Sequence, residues 1–111
     1  MNILATFESG TRHEDPNDEL LLTLVRAVDE GYEEFLIVER ADDPQQFVQV
    51  AEVANDDGIW RLTVEYRDGG PEAHYRSHDV TPLVIQRIIS DWAARRPGWR
   101  DHVGWQKLDF A

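Results

Sequence analysis

Between Trp60 and Arg67 the chain alternates without a break: Trp60, Leu62, Val64 and Tyr66 fall on one side of an extended backbone, Arg61, Thr63, Glu65 and Arg67 on the other. This period of two specifies a strand with one apolar and one polar face. Such a strand cannot stand alone, because its backbone groups need partners and its apolar side needs a cover. Everything else in the sequence can therefore be asked what it contributes to a sheet and to the layer above it.

The following Asp68-Gly69-Gly70 signals a turn. With the two glycines at its centre, Asp68 pairs with Pro71, which places Tyr66 opposite Ala73 and Val64 opposite Tyr75 on the apolar side. On the polar side the same register sets Arg67 against Glu72, Glu65 against His74 and Thr63 against Arg76. Upstream, Asn55-Asp56-Asp57-Gly58 is a hairpin signal joining a strand over about residues 46–54. Before that, the doubly apolar run Phe35-Leu36-Ile37-Val38 within residues 33–40 predicts a strand inside the sheet, with Asp42-Asp43-Pro44 as the turn after it.

Two helices supply the cover. Asp15-Pro16 predicts a helix start, with Asp15 as the cap and Asp18 and Glu19 at the positive end of the dipole. Leu21, Leu24, Val25 and Val28 share one face, and Gly31 stops the helix. Thr81-Pro82 starts the second, whose stripe is Val84, Ile85, Ile88, Ile89 and Trp92, and Arg95-Arg96-Pro97-Gly98 ends it. Trp99, Trp105, Leu108 and Phe110 make an aromatic tail expected to fold back as a last short strand, and Ile3, Ala5 and Phe7 mark a short first one. The expected fold is a single α+β domain spanning residues 1–111. Its four-stranded antiparallel sheet grows to five or six if the ends join, in the order (β)-α-β-β-β-β-α-tail.

Charge bears on function. The net charge is −11, and residues 1–59 hold fifteen Asp and Glu against three Arg, whereas residues 60–111 hold seven against eight Arg and Lys. The acidic half repels phosphate and favours a basic protein partner, so nucleic acid is not the expected ligand. There is no cysteine, which excludes disulfides and thiolate metal sites. No signal region or stretch of about 20 apolar residues appears, so the expected location is the cytoplasm, with no membrane contact.

Reactive constellations are hard to find. Ser77 between His74 and His78, and Thr81 nearby, lack a motif-placed third group for nucleophilic chemistry. His74, His78 and Asp79 could ligate a metal, but the two histidines stand four residues apart, roughly 13 Å along a strand. Asp42-Asp43 and Asp56-Asp57-Gly58 lack the spacing of a calcium loop, and Gly69-Gly70 lacks the helix of a phosphate loop. Arg61, Arg67, His74 and Arg76 on the polar side resemble a basic platform, but Glu65 and Glu72 interrupt it. No catalytic residue, metal or cofactor is assigned.

Glu34-Phe35-Leu36-Ile37-Val38-Glu39-Arg40, Phe47-Val48-Gln49-Val50-Ala51 and Val64-Glu65-Tyr66-Arg67-Asp68-Gly69 followed by His74-Tyr75-Arg76 form a set, with Trp105 late in the chain. Together they resemble the small bacterial immunity proteins encoded beside polymorphic toxins, in particular the family associated with deaminase toxins. The family's tryptophan motif is matched in part, as Val103-Gly104-Trp105. The resemblance implies a stoichiometric inhibitor that covers a toxin's active site and catalyses nothing. The residues expected to meet a basic toxin domain are Asp15, Asp18, Glu19, Asp29, Glu30, Glu33, Glu34, Asp42 and Asp43. Two rivals stand beside it: a scaffold module, monomer or homodimer, self-associating through Leu36, Val38, Val48 and Val50, and a small hydrolase-like enzyme built on His74, Arg76 and Glu65.

Overall fold

The structure, a computed structural model, describes residues 2–54 and 56–110. Within them the strands are β1 (Ile3–Phe7), β2 (Arg12–Glu14), β3 (Phe35–Arg40), β4 (Asp43–Ala54), β5 (Trp60–Asp68), β6 (His74–Ser77) and β7 (Gln106–Lys107), and the helices are α1 (Asp18–Asp29) and α2 (Pro82–Ala93). All the strands join one antiparallel sheet in the order β2-β1-β3-β4-β5-β6-β7. The α+β class and the two helices agree with expectation, while the sheet has seven strands rather than four to six. The one unforeseen strand is β2, three polar residues with no apolar alternation to reveal them; the two-residue β7 is the last short strand expected of the tail.

Both helices lie on one face. Ala5, Val38, Val48 and Tyr66 form one row across β1, β3, β4 and β5, with Phe7, Leu36, Val50 and Val64 beside it, and all are buried. Leu21, Leu24, Val25 and Val28 of α1 and Ile85, Ile88, Ile89 and Trp92 of α2 close over these rows to make the core. Leu36, Val38, Val48 and Val50 are therefore fully covered by the chain's own helices, which removes the face on which self-association was expected.

Three local expectations are corrected. Asn17, not Asp15, caps α1: its Oδ1 accepts the Leu20 N–H at 2.9 Å. Asp15 instead takes a left-handed backbone (φ 44°) and accepts the Ile3 N–H at 2.8 Å, tying the chain back to β1. In the β5–β6 hairpin a short 3-10 turn over Pro71–Ala73 lengthens the connection, and the register moves by two residues, so that Glu65 faces Arg76, Arg67 faces His74 and Tyr66 faces Tyr75. A shift of two keeps every side chain on its expected face. Trp60, expected on the apolar side to be covered like Leu62, is 66% exposed, because β4 and β5 run beyond their neighbours there. Asn55, first residue of the turn expected at that hairpin, lies outside the described residues.

The tail folds back as expected. β7 pairs with β6, and Trp99 and Trp105 meet Tyr66 edge-on, each with ring centroids 4.7 Å away, while Tyr66 stacks on Tyr75 at 4.9 Å. No helix among the described residues is long and apolar enough to cross a membrane.

Candidate functional site

Antiparallel pairing gives the sheet two ends. At one, Ile3 pairs with Arg40, and Asp43 and Asp68 stand nearby; at the other, Phe7 pairs with Leu36, and Phe35 pairs with Ala51. α1 starts at the Arg40 end, where Asp18 Oδ1 accepts from Ser90 Oγ at 2.7 Å. It finishes at the Phe7 end, about 18 Å away for its twelve residues.

This topology divides the nine acidic residues expected to bind a partner. Asp15, Asp18, Asp42 and Asp43 fall at the Arg40 end with Glu19 close by, whereas Asp29, Glu30, Glu33 and Glu34 gather at the Phe7 end. Several in the first group hold the fold: Asp15 binds β1, Asp18 binds α2 through Ser90, and Asp43 Oδ1 accepts the Gln45 N–H at 3.1 Å. In the second group Glu33 accepts from Ser9 N and Oγ at 3.4 and 3.2 Å. Asp29 lies against Glu52 of β4, and burial first, then the hydrogen bond and charge of Asp29, push the Glu52 carboxyl above its ordinary pKa. The same end carries Asp56, Asp57 and Asp79, together with four exposed apolar side chains: Trp60, which the sequence assigned to the covered face, and Tyr32, Ile59 and Leu83, which it did not single out.

The face of the sheet away from the helices holds a connected polar group. Arg67 Nε donates to His74 Nδ1 at 3.1 Å, His74 Nε2 bonds Glu65 Oε1 at 2.6 Å, and Arg76 donates to Glu65 Oε2 through Nε and Nη2 at 3.2 and 3.1 Å. Because a guanidinium only donates, His74 Nδ1 is the acceptor and Nε2 carries the hydrogen given to Glu65. His74, Arg76 and Glu65 are thus brought together, as the enzyme reading required. The His74 residue is only 3% exposed, however, flanked by Phe47 and Phe110 at ring distances of 5.8 and 5.0 Å. A depression of about 500 Å³ beside Arg76 and His78 does not reach Glu65 or His74. The group satisfies its own polar atoms under an aromatic lid, which is what a buried polar network does for a fold. His78 faces Thr63 Oγ1 at 3.2 Å instead, and among the described residues no three His, Asp or Glu side chains converge to hold a metal.

A cleft of about 510 Å³ at the Arg40 end is lined by Arg40, Arg95, Arg96 and Arg100 with Asp42, Asp43 and Asp68. Arg40 lies 4.4 Å over the Trp92 ring and donates to the Trp92 carbonyl at 2.9 Å, closing the last turn of α2. Burial, and after it the charge of Arg95, lower its pKa. Arg96 pairs with Asp91, and Arg100 pairs with Asp68 while lying against the rings of Tyr66 and Trp99. The cationic groups here are largely engaged in closing the ends of α2 and β5. Compared with known proteins, the chain matches no family model, no curated protein and no solved structure.

Proposed function

We propose that the protein is a non-catalytic binding domain of the immunity type, which neutralises a basic bacterial toxin domain in the cytosol by covering its working surface. The observation that carries this reading is the placement of charge. Fifteen acidic residues against three arginines in the first 59 residues give a strong negative field, and that half supplies α1 and the loops at both sheet ends. Such a field speeds encounter with a basic surface and disfavours acidic competitors. The closed state of the His74–Glu65–Arg76 group supports action through the surface.

Titration calorimetry, with stopped-flow mixing for the rate, against the product of the neighbouring gene tests the proposal. A one-to-one complex is expected, its association rate falling steeply with added salt. Failure to form a complex at low ionic strength overturns the reading. So does a turnover by the isolated protein that disappears on Glu65→Gln.

A further inference from the structure

Of the five exposed large apolar residues among the described residues, four stand at the Phe7 end: Tyr32 at 78% exposure, Ile59 at 53%, Trp60 at 66% and Leu83 at 44%. The fifth, Phe110, covers His74 on the opposite face. The topology explains the gathering. Tyr32 follows the end of α1, where its N–H bonds the Ala27 carbonyl. Ile59 and Trp60 begin β5 on the part of the β4–β5 hairpin that overhangs β3 and β6. Leu83 sits in the first turn of α2, which the bond from Val80 N to Leu62 O anchors beside β5. Trp60 falls on the helix-facing side of β5, in step with the buried Leu62 and Val64 but past the cover of the helices. Isolated exposed apolar residues need no explanation, but a gathering with a tryptophan and a tyrosine marks a contact surface.

The surrounding charge states what the patch takes. Asp29, Glu30, Glu33, Glu34, Glu52, Asp56, Asp57 and Asp79 belong to the same end, and Arg61 is held by Asp57 at 3.0 Å. Resting on the binding reading above and narrowing it to one surface, we infer that the Phe7 end is the docking face, with Trp60 and Leu83 as its apolar floor. Its occupant is a basic protein segment carrying arginine next to an apolar side chain. The acidic residues of the Arg40 end stay outside the contact. The geometry favours this end because it combines acidic groups with uncovered apolar ones, whereas among the described residues no exposed large apolar side chain accompanies the acidic residues of the other end.

The probe is a synthetic hexapeptide of alternating arginine and leucine, followed by amide and indole chemical shifts of the full chain. Binding is expected to move signals of residues 29–34, 52–54, 57–61 and 83. Trp60→Ala, a change at an exposed site expected to keep the melting temperature near the parent's, should weaken the peptide about tenfold or more. Leu83→Ala should weaken it less, and an alternating glutamate–leucine peptide should not bind. Shifts centred on Asp15, Asp18, Asp42 and Asp43, or an affinity indifferent to Trp60→Ala, overturn the docking face while leaving the binding proposal standing if the toxin titration succeeds. Concentration-dependent shifts at Trp60 without peptide would make a second copy the occupant and also overturn it.

Discussion

Arg95 and Gly31 occupy equivalent places at the ends of the two helices, yet only one of them suits the backbone there. Gly31 follows α1 at φ 83°, and Tyr32 N closes the turn onto the Ala27 carbonyl. Arg95 follows α2 at φ 56°, with Ala94 N bonded to Ser90 O and Arg96 N to Asp91 O. The left-handed conformation crowds the Cβ of an arginine against its own carbonyl, a cost of about 1 kcal/mol that glycine avoids. The sequence placed the end of α2 over residues 95–98 and so located the stop, but an arginine at the turning position gives no glycine signal for it. Arg95→Gly is expected to stabilise the fold by about 1 kcal/mol, less what the glycine loses to unfolded-chain entropy, as measured by urea unfolding. A loss of stability would mean that the Arg95 side chain holds the cleft beside Arg40 through contacts stronger than the backbone cost.

Whole elements were legible where a period repeated and obscure where pairing rested on a few polar atoms. The apolar stripes of α1 and α2 and the alternation of β5 fixed which sides face the core, because burial of each side chain rewards one phase of the pattern. The β5–β6 register was missed because connections of two and four residues after Asp68 preserve the same faces, and the choice falls to the 3-10 turn at Pro71–Ala73 and to Glu65 reaching both His74 and Arg76. The tail reads as apolar from its composition, but its grip comes from packing: the Trp105 ring meets Tyr66 at 4.7 Å, and its Nε1 donates to the Arg100 carbonyl at 3.0 Å. Trp105→Ala should therefore cost about 2 kcal/mol in chemical denaturation and release β7, seen as faster amide exchange at Gln106 and Lys107. Unchanged exchange there would show that the pairing with β6 holds the tail without the ring. The acidic residues of the candidate surface were equally plain in the sequence, but their division between two ends was only half so: the predicted helix already parts Asp18 from Asp29, whereas the course of β3 is needed to bring Asp42 and Asp43 back to the Asp18 end.

Across the molecule a net charge of −11 makes stability depend on which carboxyls the fold makes harder to ionise and which it makes easier. Asp91 is of the second kind: the hydrogen bond from His102 first, then Arg96, holds its pKa below the ordinary 3.8 despite some burial. Its stabilisation is complete above the unfolded value and is lost as pH falls through the folded one. Glu52 is of the first kind, because burial and Asp29 raise its pKa above 4.5. Between its unfolded and folded values the native state binds more protons than the unfolded chain, so stability declines as pH rises through that window and stays reduced at neutrality. Glu52→Gln removes this penalty while keeping a hydrogen-bonding side chain beside Asp29. The variant should melt above the parent at pH 7, and the gap should close as pH drops below about 4, where the parent carboxyl is protonated in both states. Asp91→Asn should do the opposite, melting below the parent at pH 7 and converging only in stronger acid. A parent and Glu52→Gln pair with parallel melting curves across pH 3 to 8 would show that the Phe7 end carries no unrelieved acid pair. In that event a basic side chain docked there would gain nothing from relieving one, and the partner's arginine would have to be drawn by the general field alone.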